Sequence, residues 1–162
     1  MSSESDFAAL LGDLDYPLLI VTTEWKGELS GCVVGFSTQA SIDPCRFLVC
    51  LSHENRTFQL ATKVRHLVVH FVPAEKRDLA KVFGSITGDS VDKFELCEWT
   101  RGPHDLPVLS GCPNFFIGRI VDRVDLGDHD GFVLAPEGVV KEASMKALVV
   151  RELEHVKPGH EP

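Results

Sequence analysis

Short β-type runs dominate this chain, and the turn chemistry between them restricts what it can fold into. "YPLLIVTTE", "ELSGCVVGF", "RFLVCLS" and "HLVVHFV" are rich in β-branched and aromatic residues and end in polar or glycine- and proline-bearing segments. Lys26-Gly27, between the first two, predicts a two-residue hairpin. Two longer runs, "FFIGRIVDRVDL" and "GFVLAPEGVV", are hinged at "GDHDG", whose composition suits a tight turn or bulge. Helical segments intervene: "SESDFAALLGDL", capped by Ser5 and ended by Gly12, then "NRTFQLATKV", then "AEKRDLAKVFG", ended by Gly84. "CEWTRGPHDLPVLSGCP" reads as an excursion over the surface, and the tail "KPGHEP" as exposed. Residues 143–156 stay open. Met145, Leu148, Val149, Leu153 and Val156 make a helical stripe, whereas "ALVV" alone would close the sheet as a strand.

Many short strands and few helices predict a mainly β chain, an antiparallel Greek-key barrel with helices covering its ends. Neither a βαβ alternation nor a GxGxxG after a strand is present, which argues against a Rossmann domain. The 162 residues predict a single domain, 1–162, with a core over about 14–141. A chain of this length buries enough surface to need no staples.

A formal net charge of -8 argues against a nucleic-acid groove binder, which presents a basic face. It leaves room for an anionic ligand, because a phosphate responds to the local field. The longest apolar runs fall short of the ~18 residues that span a bilayer. The acidic start "MSSESDF" lacks the basic region of a secretory signal. Five cysteines, Cys32, Cys45, Cys50, Cys97 and Cys112, make an odd count with no CxxC pair, which points to reduced thiols and a cytoplasmic protein. Cys32 and Cys50 fall in apolar strands, where a thiolate is disfavoured. No GxSxG elbow supports a serine hydrolase. Among the histidines no HExxH or similar spacing appears, so no metal site is expected. His66 and His70 read as structural strand residues, and His53, His104, His155 and His160 as exposed.

Three stretches carry the chemistry. In "GFSTQASIDPCRFLVCLS" small polar residues stand where a strand should be apolar, before a Ser-Ile-Asp-Pro turn. Pro44 removes a ladder donor and pushes Asp43 to an extended conformation. Thr38 to Ile42 then reads as irregular backbone whose N–H groups face a flat ligand, with Gly35 and Ala40 keeping the approach open. The plain alternative is a bulged edge strand whose hydroxyls satisfy their own turn. In "SHENRTFQL" a helix beginning near Glu54 or Asn55 presents unpaired N–H groups, and Arg56, Ser52 and Thr57 add donors suited to phosphate. Here the alternative is a capped surface helix with a solvated arginine. His129, in "LGDHDGF", is either a turn residue or an imidazole at the barrel mouth that orients a donor or moves a proton near neutral pH.

Taken in order, "LLIVTT", "GCVVGFSTQASIDP", "RFLVCLSHENRTF", "LAKVFGS…DKF" and "GDH…FVL" resemble the flavin reductase-like family of FMN-binding split barrels, from about Tyr16 to Val140. The resemblance implies an antiparallel Greek-key split barrel that binds FMN, with FAD as a second candidate. It implies flavin contacts from Val34, Gly35, Phe36, Thr38, Gln39, Ala40 and Ser41, and phosphate contacts from Asn55, Arg56 and Thr57. Lys81, Phe83 and Gly84 would lie nearby. His129 would line the face where a reduced nicotinamide, NADH or NADPH, meets the flavin. It further implies a homodimer and, as a partner, a monooxygenase component that takes the reduced flavin. The residues also leave room for an FMN-binding electron carrier or sensor without nicotinamide activity. A split-barrel module for haem, a deazaflavin or no cofactor stays open too, because fold does not fix function. Val33, Gly35 and Cys45 depart from the family's usual polar, amide and second-proline residues, which shifts flavin recognition toward backbone groups.

Overall fold

The computed structural model describes residues 3–85 and 91–153. The opening helix, α1 (Glu4–Gly12), is capped by Ser3 and not Ser5: the Ser3 backbone N–H donates to the Asp6 carboxylate at 3.1 Å. None of its residues is buried, and Phe7 and Leu10 stay exposed.

Strand β1 (Leu19–Trp25) turns into β2 (Glu28–Val34) through Lys26-Gly27, as expected. Both turn residues have positive φ, 50° and 84°, which is the geometry of the tight hairpin turn that matches strand twist. Then follow β3 (Ser37–Ser41), β4 (Arg46–Ser52), α2 (Arg56–Ala61), β5 (His66–Phe71) and α3 (Arg77–Ser85). A short hairpin of β6 (Trp99–Arg101) and β7 (Pro107–Leu109) precedes the long strands β8 (Asn114–Asp125) and β9 (His129–Lys141). Seven strands form one sheet in the order β2-β1-β5-β8-β9-β4-β3, with every pair antiparallel. The ladder ends at β2 and β3 without joining, so the barrel is split and not closed. Helix α2 packs against β1, β2 and β4. There Thr57 Oγ1 and Ser30 Oγ lie 2.9 Å apart, a hydroxyl pair that ties the helix to β2.

Strand alternation sorts the core into two faces. Leu19, Val21, Cys32, Val34, Val49, Leu51, Phe116, Phe132 and Leu134 fill the barrel. Leu18, Ile20 and Val72 point the other way, against Ala80 and Phe83 of α3. Each fully buried Leu, Ile or Phe contributes roughly 1.5–3 kcal/mol.

Three further expectations change. The segment 97–113 does not merely cross the surface: Leu106, Val108, Leu109 and Cys112 are buried. Thr22 Oγ1 reaches across to donate to the Pro107 carbonyl at 2.6 Å. Its prolines and glycines shape a turn, while its apolar residues pack against Val68 and Ile117. Residues 143–149 form neither a helix nor a full strand, only isolated bridges from Ala147 to Pro73 and from Val149 to Pro17, before a 3₁₀ turn at Val150–Leu153. Leu148 is wholly buried there, its N–H bonded to Val72 and its carbonyl to Leu18, both at 2.8 Å, so the packed region runs past Lys141. Finally, Ser37–Ser41 is a strand and not irregular backbone. Its one irregularity is a bulge at Ala40, between the pairs Gln39–Phe47 and Ser41–Arg46. His155, Val156, His160 and the tail lie outside the described residues.

Candidate functional site

Strand β4 is the spine of the site. Along one side lies β3, the last strand of the sheet, with its outer edge unpaired. The Phe36 carbonyl accepts from Cys50 N–H at 2.9 Å. Antiparallel alternation therefore turns the main-chain groups of Ser37 and Gln39 away from β4. Ser37 Oγ is buried and has no hydrogen-bond partner among the described residues, a costly state for a hydroxyl. Nearby hydroxyl and amide groups are used locally, Thr38 Oγ1 donating to the Gln39 carbonyl at 3.1 Å and Gln39 Nε2 to that of Ser41 at 3.4 Å. Ala40, at the bulge, is exposed. The Val34 side chain belongs to the core, which leaves only its backbone to a ligand. A Cβ on Gly35 would lie 3.2 Å from Val150 Cγ2, so it is the C-terminal segment that approaches this glycine.

Beyond the end of β4 the chain enters α2. Asn55 is the N-cap, its Oδ1 accepting from Thr57 N–H at 3.0 Å, which matches the start expected for this helix. The Thr57 hydroxyl is turned inward to Ser30. Arg56 is not a solvated arginine. Its Nε and Nη2 donate to the two Glu28 carboxylate oxygens at 2.7 and 2.8 Å, and Nη1 donates to Gln59. These bonds engage three of the five guanidinium N–H groups, and two have no partner among the described residues.

This corner faces a pocket of about 410 Å³ whose lining includes Glu28, Ser30, Gly31, Asn55, Arg56 and Lys93. Lys93 is buried, with its ammonium donating to the Gly31 and Phe83 carbonyls, each at 3.1 Å. Burial pushes its pKa down, and the adjacent Cys32 works in the opposite sense. The Cys32 thiol itself is pushed up to about 11 by burial, which keeps it protonated as expected. Phe83 packs behind Gly31, and Gly84 lies against Val33. Lys81 stays exposed on the outside of α3, 4.0 Å from Asp78.

His129 opens β9 and pairs with Ser52 at the end of β4. Its ring lies 5.1 Å from that of Phe36, and its Nδ1 lies 2.7 Å from Asp128 Oδ1. The bond to His129 holds the Asp128 carboxyl below the usual carboxylate range. Alongside, the His53 N–H donates to the Asp128 carbonyl at 3.0 Å, and His53 Nε2 lies 2.8 Å from Asp130.

One neighbourhood therefore holds the β3 edge, Phe36, His129 and the lead into α2, strung along β4 and its end. Phe83 and Gly84 stand behind β2, and Lys81 stands apart. Glu28, Ser30 and Lys93 were not foreseen. The run "DKF" carries Lys93, but only burial distinguishes that lysine from an ordinary surface one.

The model of the family described as flavin reductase like domain matches residues 11–154. A curated relative, the FMN reductase (NADH) RutF of Stutzerimonas stutzeri, is 26% identical over 144 residues, covering 89% of this chain and 82% of its own. The stachydrine N-demethylase reductase subunit Stc3 of Rhizobium meliloti is 26% identical over 113 residues, 67% of this chain and 48% of its own. Among solved structures, the NADH:FAD oxidoreductase SgcE6 of Streptomyces globisporus superposes with a TM-score of 0.82 at 21% identity, over 92% of this chain and 90% of its own. That likeness is one of fold.

Proposed function

Because the chain belongs to the flavin reductase-like domain family, we propose that it is a flavin reductase that binds FMN along β4 and takes hydride from NADH. The observation that carries this reading is the continuity of β4, with the edge of β3 beside it and the cap of α2 beyond it. A flat ring with an anionic tail needs such a layout: main-chain donors at one end, a cationic fork at the other. Ser37 Oγ, buried without a partner among the described residues, is an atom that such a ligand would satisfy. FMN, when bound, supplies a two-electron acceptor for the nicotinamide hydride.

The chain's own residues bind and orient. The backbone of Ser37 and Gln39, turned away from β4, with that of Ala40 and Ser41 at the bulge, meets the polar edge of the ring, and its N–H groups favour negative charge there, while Thr38, paired with Leu48, flanks them. Val34, Gly35 and Phe36 form the adjoining wall. Arg56 holds the phosphate end through its remaining N–H groups, Asn55 lines that end as the cap of α2, and Thr57, whose hydroxyl is turned inward to Ser30, supports it by fixing the first turn. Phe83 and Gly84 act only from behind β2, by packing against Gly31 and Val33, and Lys81, apart on α3, is assigned no contact with the phosphate. His129, held by Asp128, orients the reduced nicotinamide or moves a proton at its ring nitrogen. NADH is preferred to NADPH as donor and FMN to FAD as acceptor, following the names of the RutF relatives.

The same reading gives one split-barrel domain over 1–162 and a cytoplasmic homodimer. Its partner is an oxygenase-type component that consumes reduced flavin, in keeping with a relative named as the reductase subunit of a demethylase. Among the described residues no helix is long and apolar enough to cross a membrane. The exposed Phe7, Leu10 and Leu14 are suited to covering by a second copy.

The test is steady-state oxidation of NADH and NADPH by the purified protein with FMN, FAD and riboflavin. Flavin-dependent NADH oxidation, fastest with FMN, is expected. A protein that binds FMN but oxidises neither nicotinamide is a carrier, and the reading fails.

A further inference from the structure

Away from the β4 site, three side chains from three distant parts of the chain converge. His66 opens β5, His104 sits in the turn between β6 and β7, and Glu137 lies on β9. His66 Nε2 is 2.9 Å and His104 Nε2 is 3.9 Å from the same oxygen, Glu137 Oε2, and the three ligand atoms lie within 4.8 Å of one another. The two imidazoles stack with centroids 3.9 Å apart and 13° between their planes.

The surroundings fix this arrangement. Arg119, on β8, donates from Nε to the other Glu137 oxygen at 2.5 Å, so Oε1 is occupied and Oε2 is left to the imidazoles. His104 and the following Asp105 both have positive φ, 57° and 61°, in a region that non-glycine residues rarely occupy. Arg101 secures that turn by donating to the Asp105 carbonyl at 2.6 Å and pairing with Glu24. The strained turn is what sets the His104 ring over His66.

We propose that His66, His104 and Glu137 form a binding site for a divalent transition-metal ion, with zinc as the best match. Two imidazole nitrogens and one carboxylate oxygen are a donor set that zinc takes in four-coordinate sites, with water completing the sphere. Strands β5 and β9 hold His66 and Glu137 rigidly. The half-exposed His104 ring swings out of the stack and turns Nε2 onto the ion. Arg119, the other charged group on Glu137, positions the carboxylate through its far oxygen. The ion pins the β6–β7 turn to the barrel. The spacing of the ligands, at 66, 104 and 137, follows no chain motif, so no local pattern marks the site.

The other cluster of this kind among the described residues, His53 with Asp125 and Asp130, offers a single imidazole. Its Asp130 is shared with Arg123 at 3.4 Å.

The test is calorimetric titration of zinc chloride into the untagged full chain carrying Cys45→Ser, which removes the exposed thiol. One equivalent should bind, and His104→Ala should weaken binding at least tenfold, with His66→Ala doing the same. His53→Ala should leave it unchanged. Cobalt(II) added to the same protein should give visible d–d bands that His104→Ala abolishes. Circular dichroism of His104→Ala, an exposed-turn substitution, checks that the fold is retained. Absence of saturable zinc binding, or equal binding by the folded His104→Ala protein, overturns the proposal. Neither result depends on flavin or nicotinamide.

Discussion

The rings of Phe36 and His129, from distant parts of the chain, lie 5.1 Å apart because β4 pairs with both neighbouring strands. Phe36 leads into β3, and His129 starts β9 opposite Ser52. This contact places the one candidate proton-handling group at the wall assigned to the flavin. His129→Ala should lower kcat about a hundredfold, the low end for a positioned proton-transfer group. The FMN dissociation constant should move much less. Stopped-flow measurement of flavin reduction by NADH, beside fluorescence titration with FMN, separates the two, and unchanged reduction would retire the role.

Arg56 is tied to Glu28 by two N–H groups, and both side chains are partly exposed, so the pair contributes only about 0–1 kcal/mol to stability. Its larger effect should be on ligand affinity. Arg56→Ala is expected to leave the urea midpoint nearly unchanged and to weaken FMN binding. Arg56→Lys should rescue little, because an ammonium cannot serve Glu28 and a phosphate with a planar fork. Full rescue by lysine would mean that charge alone matters there.

Gly31 has no room for a side chain. A Cβ would lie 2.7 Å from Phe83 Cε1 and 3.0 Å from Thr22 Cγ2. Gly31→Ala should therefore destabilise the protein by roughly 1–3 kcal/mol through overpacking. Because the Gly31 carbonyl also anchors Lys93, the pocket beside α2 should be disturbed as well. Chemical denaturation measures the first effect, and a wild-type midpoint would contradict the packing described.

His70 is buried, donating from Nδ1 to the Ile20 carbonyl at 3.0 Å and accepting from Leu109 N–H at Nε2, also at 3.0 Å. Burial lowers its pKa from 6.5 to about 4. The unfolded chain thus takes up a proton that the fold refuses. Stability contributed by neutral His70 is full above about pH 6.5 and is lost as pH falls toward 4, by about 3 kcal/mol in all. Urea unfolding at pH 7 and pH 4.5 should show the loss, and His70→Gln should flatten it. An equally steep profile in the variant would assign the acid sensitivity elsewhere.

Local chemistry was legible in the sequence where it decides structure. Lys26-Gly27 makes its hairpin, Asn55 starts its helix, and His70 is structural. Burial pushes the thiols of Cys32 and Cys50 upward, as their apolar strands suggested. The failures lie where distant residues decide. Ser37–Ser41 looks too polar for a strand, yet β4 supplies a complete pairing partner, and polarity is tolerated on an edge. Prolines in 97–113 mark a turn but hide Leu109, which tertiary packing buries. Neither the Arg56–Glu28 pair nor the buried ammonium of Lys93 leaves a trace in local pattern, because each depends on β2 lying beside α2 or α3. Gly35 was read as an open approach, while the side chain that meets it, Val150, comes from a segment whose form the sequence left undecided.

The most direct test of the account is the affinity of wild type and Arg56→Ala for FMN and for riboflavin, which share a ring and differ in the phosphate. Wild type should bind FMN at least about tenfold more tightly than riboflavin, the scale of one charge-assisted hydrogen bond. In Arg56→Ala that preference should vanish while riboflavin affinity is kept. A wild type that binds both equally, or a variant that keeps the preference, would contradict a phosphate held at the end of β4.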